Sequence, residues 1–259
     1  MQRGCNIGRN QLGTNWVSNP TPLPLRGISP TLQGRSKTRI LLDTGVGLDS
    51  SRVRDRLIEK LSREIKNTAV LEAMRRVERH RFVDSALVTQ AYEDTALPIG
   101  FGQTISKPNV VARMIELLLN GQARFTGKVL EIGSGCGYQA AVLGLLARHV
   151  FSVERIEGLV TKARANLKAC EYTNVQVKFG DGMLGFPDVA PYAAIIAAAG
   201  GEAIPDAWLK QLAMGGRLVA PSWIDNKQQA LIVIDKTPDG FIKNVLEPVQ
   251  FVPLKSGYE

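Results

Sequence analysis

The sequence is poor in cysteine and histidine: of 259 residues, three are Cys and two are His. Cys5, Cys136 and Cys170 give no pair at metal-ligand spacing, so no metal site is expected. The odd count supplies no disulfide framework, and free thiols point to a reducing compartment, so a cytoplasmic location is expected. His80 and His149 lie far apart in sequence, which leaves a Ser-His-Asp triad poorly supplied. Long apolar runs are missing too. No stretch approaches the ~18 residues that cross a bilayer, and the opening MQRGCNIGRNQLGTNW lacks the apolar core of a secretory signal. No membrane partner is expected.

Acid is missing from one region only. Before Asp43 stand Arg3, Arg9, Arg26, Arg35, Lys37 and Arg39 and no carboxylate. That region carries +6 of the net +8, leaving 8 − 6 = +2 for residues 43–259. The part that should fold is close to neutral, which weakens a nucleic-acid reading and predicts no specific nucleic-acid partner. Residues 1–48 are rich in Pro, Gly, Ser, Asn and Arg and show no sustained period. They are read as a disordered basic extension before a single domain over 49–259.

What is present is periodicity. Val53, Leu57, Leu61 and Ile65 recur every four residues and predict a helix from Ser51. Thr68 is placed to cap a second helix carrying Val70, Leu71, Met74 and Val77. A third follows Pro108 and should stop at Asn120-Gly121, giving an N-terminal helical segment over 51–121. From Lys128 strands alternate with helices: KVLEIG, HVFSVE, VQVKFG, YAAIIAAA, GRLVAP and QALIVID are strand candidates. Between them lie helical stretches at 138–148 and 158–170, a weak one near Gly185, and one at 205–214. The fold expected is α/β: a Rossmann-like parallel sheet with helices on both faces and extra N-terminal helices. QALIVID, after the short turn WIDNKQ, and the closing VQFVPLK should add antiparallel edge strands at the C-terminus.

In such sheets ligands bind beyond the carboxyl ends of the strands. The first strand-helix turn is Gly133-Ser134-Gly135-Cys136-Gly137, and Glu154 ends the second strand twenty-one residues after Gly133. Glycines let a ligand approach the backbone, and an acid at that distance can accept ribose hydroxyls. Tyr138 stands where a dinucleotide fingerprint wants a small residue, and Glu131 beside the loop suits a cation better than a pyrophosphate. S-adenosylmethionine, with an ammonium and a sulfonium, fits that pattern. Asp181-Gly182 after the third strand supplies an acceptor for an adenine amino group. Acids are thus expected along one mouth, at the ends of three successive strands.

LPIGFGQTISKP, VLEIGSGCGYQAAVL, FSVERIEGL, GDG, LKQLAMGGRLVAP and the terminal FVPL resemble the bacterial type of the protein-L-isoaspartate O-methyltransferase family, over roughly residues 52–258. The resemblance implies methyl transfer from S-adenosylmethionine to the free α-carboxylate of L-isoaspartyl residues in damaged proteins and peptides, which starts repair through a succinimide. It assigns Ser106 as the catalytic hydroxyl, and Gln103, Thr104, Ile105, Arg155 and Gly182 to the cofactor beside Glu131, Gly133, Gly135, Glu154 and Asp181. Ile99, Gly100, Ala198 and Ala199 would meet the substrate. A carboxylate acceptor has a reference pKa near ~4 and arrives ionised. The site needs alignment rather than a base. A monomer is expected.

Five positions depart from the family pattern. They are Phe101 in place of His or Gln, Val111 in place of a His, Met183 in place of a Trp, Ala193 in place of an Asp, and Ala198 in place of a Thr. The losses at Ala193 and Ala198 would each remove a polar group near the ligand mouth, as a catalytically weak or inactive homologue would show. A nucleic-acid methyltransferase is the other alternative. The place of an Asn/Asp-Pro-Pro-aromatic stretch reads AAAGGEAIP, and no cysteine has the proline neighbour that cytosine C5 chemistry needs. Ser106 could also serve as the N-cap of the helix that follows it.

Overall fold

The computed structural model describes residues 51–224 and 228–259. The expected extension 1–48 and the centre of the turn WIDNKQ lie outside the described residues. Three helices open the fold, α1 (Ser51–Leu61), α2 (Thr68–Arg76) and α3 (Pro108–Leu119), and α3 ends on Asn120 in the left-handed region as its sequence predicts. Helix α2 starts where expected, but its cap is Asn67: the Asn67 carboxamide oxygen accepts from Ala69 N at 3.0 Å and Val70 N at 3.4 Å. Thr68 is the first helical residue instead, because the Asn67 carboxamide one place earlier already meets both amides. Between α2 and α3 a small hairpin forms from β1 (Leu97–Gly100) and β2 (Gln103–Ile105).

Alternation follows as predicted: β3 (Val129–Ile132), α4 (Tyr138–Leu146), β4 (Val150–Glu154), α5 (Glu157–Ala169), β5 (Val175–Phe179), β6 (Tyr192–Ala197), α6 (Asp206–Gln211), β7 (Leu212–Trp223), β8 (Gln229–Thr237) and β9 (Gly240–Val249). The weak helix near Gly185 is two 3-10 turns, Gly182–Leu184 and Pro187–Val189. The seven strands run in the order β5-β4-β3-β6-β7-β8-β9, with β8 and β9 antiparallel. The chain builds outward from β3 to β5, then crosses back to lay β6 on the other side of β3. The crevice between β3 and β6 is therefore the switch point where ligands bind.

One edge assignment is corrected. The last strand is GFIKNVLEPV, and VQFVPLK leaves the sheet at Val249. Beyond it the chain touches strand geometry only at an isolated bridge, where Gly200 N donates to Val252 O and Gly200 O accepts from Leu254 N, both at 2.9 Å. Pro253 has no N–H for a ladder. β9 escaped notice because most of its residues are exposed, so no apolar alternation marks it.

Apolar side chains fill both sides of the sheet. One cluster packs α1–α5 against it through Leu61, Val70, Met114, Ala141 and Val160. The other gathers Phe151, Tyr192, Trp208 and Leu218 on the opposite face. Each fully buried side chain of this size stabilises by about 1.5–3 kcal/mol.

Candidate active site

The glycine loop joins β3 to α4 at the carboxyl end of the sheet. Gly135 has φ +53, and the Ile99 side chain lies 3.2 Å from where a Cβ would stand. A side chain there would be strained and would push the hairpin off the loop. The Gly135 N–H donates to Glu154 Oε2 at 2.9 Å. Behind the loop, Arg79 is wholly buried over the Tyr138 ring, 4.8 Å from its centroid, and donates to Thr95 O at 3.2 Å. Burial pushes its guanidinium pKa down.

The hairpin folds over this loop. Gly100, Phe101 and Gly102 all have positive φ, at 94, 54 and 65°, which turns the chain tightly at the tip. Lys162 on α5 holds it by donating to Ile99 O at 2.9 Å while pairing with Asp84 at 2.9 Å. Phe101 leans on α5 at Gly158, its ring 2.1 Å from where a Cβ would be.

Between hairpin, loop and strand ends lies a cavity of about 360 Å³, within the range of small-molecule sites. Ser106, Gln103, Thr104, Ile99, Gly133, Gly135, Glu154, Arg155, Gly182, Ala198 and Ala199 all line it. Four residues expected at the site do not. Ile105 points into the core, because alternation along β2 sends it opposite to Thr104. Gly100 lies at the tip, outside the lining. Glu131 and Asp181 stand just behind the wall.

The three strand-end acids therefore have different surroundings. Glu154 lines the cavity, and its Oε1 accepts from Arg155 N at 2.9 Å and Ile156 N at 3.0 Å. With Gly135 N on Oε2, three backbone amides hold the carboxylate, and Oε2 keeps a lone pair for a ligand hydroxyl. Glu131 is wholly buried, accepts from the Ser152 hydroxyl, and leaves Oε1 without a partner. Ser134 and Ser152 continue that chain at 2.5 Å. Burial pushes the Glu131 carboxyl up to about 8. In the ligand-free chain it is thus mostly protonated at neutral pH, and the attraction expected from a charge beside the loop is corrected accordingly. Asp181 caps Met183 N at 2.8 Å and takes Gly257 N at 2.7 Å, so both of its oxygens are already engaged.

Gly257 belongs to a strap that sequence reading did not place at the site. After Leu254 the chain crosses the ends of β4 and β5. Arg155 Nη1 pairs with Glu259 at 2.5 Å, Arg155 Nε donates to Gly257 O at 3.2 Å, and Glu259 N donates to Arg155 O at 2.8 Å. Tyr258 tilts against Phe179 at 5.2 Å. Val252, Pro253, Leu254, Lys255 and Glu259 line the cavity. The signal was the terminal FVPL, read as an edge strand.

Beyond Ser106 the cavity opens into a groove of about 960 Å³, bounded by Thr104, Ser106 and Lys107 on one side and Trp223, Gln229, Pro248 and Phe251 on the other. Thr104, Ser106, Ala198 and Val252 border both spaces. Lys107 occupies the N-cap position of α3 without a side-chain cap bond, so the capping alternative for Ser106 is not realised. The departures from the family pattern separate here. Ala193 opens β6 at its amino end and lines a different, 140 Å³ cavity with Gly216 and Asp235, so its loss is not at the mouth. Val111 is buried in the core. Ala198 does border the site.

Known proteins resemble the chain over this whole region. The profile of the protein-L-isoaspartate(D-aspartate) O-methyltransferase family matches residues 52–259. A protein-L-isoaspartate O-methyltransferase of Methylibium petroleiphilum is 55% identical over 232 residues, covering 88% of this chain and 84% of its own. One from Dechloromonas aromatica is 53% identical over 214 residues, covering 82% and 98%. Among solved structures, a protein-L-isoaspartate O-methyltransferase superposes with a TM-score of 0.72 at 26% identity, covering 78% of this chain and 66% of that one. A Plasmodium falciparum protein described by the same activity, in complex with S-adenosyl-L-homocysteine, superposes at 0.69 with 25% identity, covering 78% and 98%. Fold, glycine loop, hairpin and terminal strap thus coincide with a match that runs the length of the described domain, and the chain belongs to the protein-L-isoaspartate(D-aspartate) O-methyltransferase family.

Proposed function

We propose that this chain transfers a methyl group from S-adenosylmethionine to the free α-carboxylate of L-isoaspartyl residues in damaged proteins and peptides. One observation carries the reading: Ser106 borders both the smaller cavity and the larger groove. The cavity suits a nucleoside, with Glu154 facing it and the glycine loop allowing close backbone approach. The groove is large and open enough for a peptide. Bound S-adenosylmethionine would supply an electrophilic methyl carbon on a sulfonium.

The chain's own task is alignment. The Ser106 hydroxyl would donate to one oxygen of the incoming carboxylate, which is already ionised and needs no base. Thr104, on the same wall, would flank the reacting groups. Glu154 would accept from the ribose, and Arg155 and Gly182 would border the purine. Ile99 and the Phe101 tip would exclude water. Among these residues no histidine is required.

Cys136 and Cys170 are free thiols, which supports a reducing, cytoplasmic setting. No described helix is long and apolar enough to cross a membrane.

The test uses matched peptides that differ only in an aspartyl or isoaspartyl linkage, with labelled donor. Base-labile methyl ester on the isoaspartyl peptide alone is expected, and Ser106→Ala should reduce its rate at least ~10-fold while donor binding by calorimetry persists. Equal labelling of both peptides, or none of either, overturns the reading.

A further inference from the structure

The described residues that line the groove beyond Ser106 carry little charge. Among the described residues that line it, Lys107 alone is charged; Gln228, Gln229, Gln250 and Trp223 provide neutral surface around it. Lys107 is exposed, and no acid among the described residues pairs with it. Asp94, at the same end of α3, accepts from Asn109 N at 2.8 Å and makes no ion pair with Lys107. The first turn of α3 contains no acid, so the helix terminus adds to the positive potential. This cation stands one residue from the hydroxyl that would receive the acceptor carboxylate.

Resting on the methyl-transfer reading above, we infer that Lys107 sets a substrate preference: isoaspartyl sites flanked by an acidic side chain are favoured over those flanked by a neutral or basic one. An extended peptide advances about 3.3–3.6 Å per residue. With the isoaspartyl carboxylate at Ser106, side chains within about three residues of it pass the Lys107 ammonium on its flexible stem. The Ser106 hydroxyl is neutral and aligns the acceptor. Lys107 reads what lies next to it. The division suits the chemistry, because a cation placed on the acceptor itself would hold it in its ground state and dull its nucleophilicity. A cation beside the acceptor draws in the peptide without that penalty.

The test measures kcat/KM for isoaspartyl peptides carrying Glu, Gln or Lys at each of the nearest positions on either side. With the native chain the Glu peptide should exceed the Gln peptide by about two- to fivefold at one position or more, the range of an exposed ion pair. The Lys peptide should fall below both. The preference should shrink as salt rises. Lys107→Gln should bring the three peptides to within about twofold of one another, and Lys107→Glu should reverse their order, with S-adenosyl-L-homocysteine affinity unchanged in both. Equal use of all three by the native chain would overturn the inference and leave the methyl-transfer reading intact. So would a preference that survives Lys107→Gln, since it would belong to another cation. Failure of the native chain on every isoaspartyl peptide would overturn both.

Discussion

Glu131 holds a proton that the unfolded chain would give up. Its carboxyl is wholly buried, one oxygen has no partner, and burial raises it from its ordinary 4.5 to about 8. A raised folded value favours the folded state below the unfolded pKa, and that advantage is lost as pH climbs from about 4.5 towards 8. Glu131→Gln keeps the shape and removes the titration. In ligand-free protein, its melting temperature relative to the native chain should rise between pH 5 and pH 8.5 by at least ~3 °C, the shift that about 1 kcal/mol gives in a chain of this size. An offset independent of pH would contradict this. Glu154 lies at the cavity wall, where three backbone amides donate to its carboxylate. Replacing it with Gln removes the charge and turns an amine towards one of those donors. Calorimetry should show S-adenosyl-L-homocysteine binding weakened by roughly 10-fold, with stability lower by about 1–3 kcal/mol. Both residues were visible in the sequence as strand-end acids. Their different surroundings were not, because a residue's depth behind a loop depends on how later elements pack.

At the scale of elements, the hairpin and the strap close the cavity from opposite sides. Gly158 matters to the hairpin because the Phe101 ring occupies the space of its missing Cβ. Gly158→Ala should cost less than ~1 kcal/mol of stability, since the ring is 58% exposed and can swing away. It should nevertheless weaken donor binding several-fold, because the ring lines the cavity. Adding Phe101→Ala should make the two changes non-additive, and a double-mutant cycle on binding measures that coupling. The strap rests on the ion pair between Arg155 and Glu259, on Asp181 holding Gly257, and on two further backbone bonds. Glu259→Ala should speed S-adenosyl-L-homocysteine dissociation about two- to fivefold in stopped flow, the worth of an exposed pair. An unchanged rate would mean that the backbone bonds suffice. The glycines at the hairpin tip stand in the sequence, but the pairing of β1 with β2 was not read from it. Nor was the strap, because VQFVPLK carries a strand's composition and only Pro253 betrays that it cannot pair along its length.

Across the whole molecule, the face of the sheet away from α3 and α4 also supports the cavity. Trp208 is 1% exposed on the face away from α3 and α4, yet its indole donates to Gly182 O at 2.8 Å, and Gly182 lines the cavity. Trp208→Phe should lower stability by about 2–3 kcal/mol through lost volume and an unpaired carbonyl. It should also weaken nucleoside binding, although residue 208 does not itself line the cavity. Thermal unfolding and calorimetry on one preparation test both. The order of the chain already contained most of the sheet: β3 to β8 announced themselves by apolar runs and the first loop by its glycines, because backbone geometry and burial act on residues that are near in sequence. The core-facing periods of α1 to α3 were likewise local. Tertiary structure alone decided the rest. It put Ala193 at the far end of β6 and Ala198 at the mouth, a distance of about 3.3 Å for each strand residue between them. It hid Glu131, exposed Lys107 in a groove whose other described lining residues are uncharged, and drew residues 254–259 across the ends of β4 and β5. Each of these outcomes depends on contacts between residues far apart in the chain, and no local pattern encodes the desolvation or charge that such contacts create.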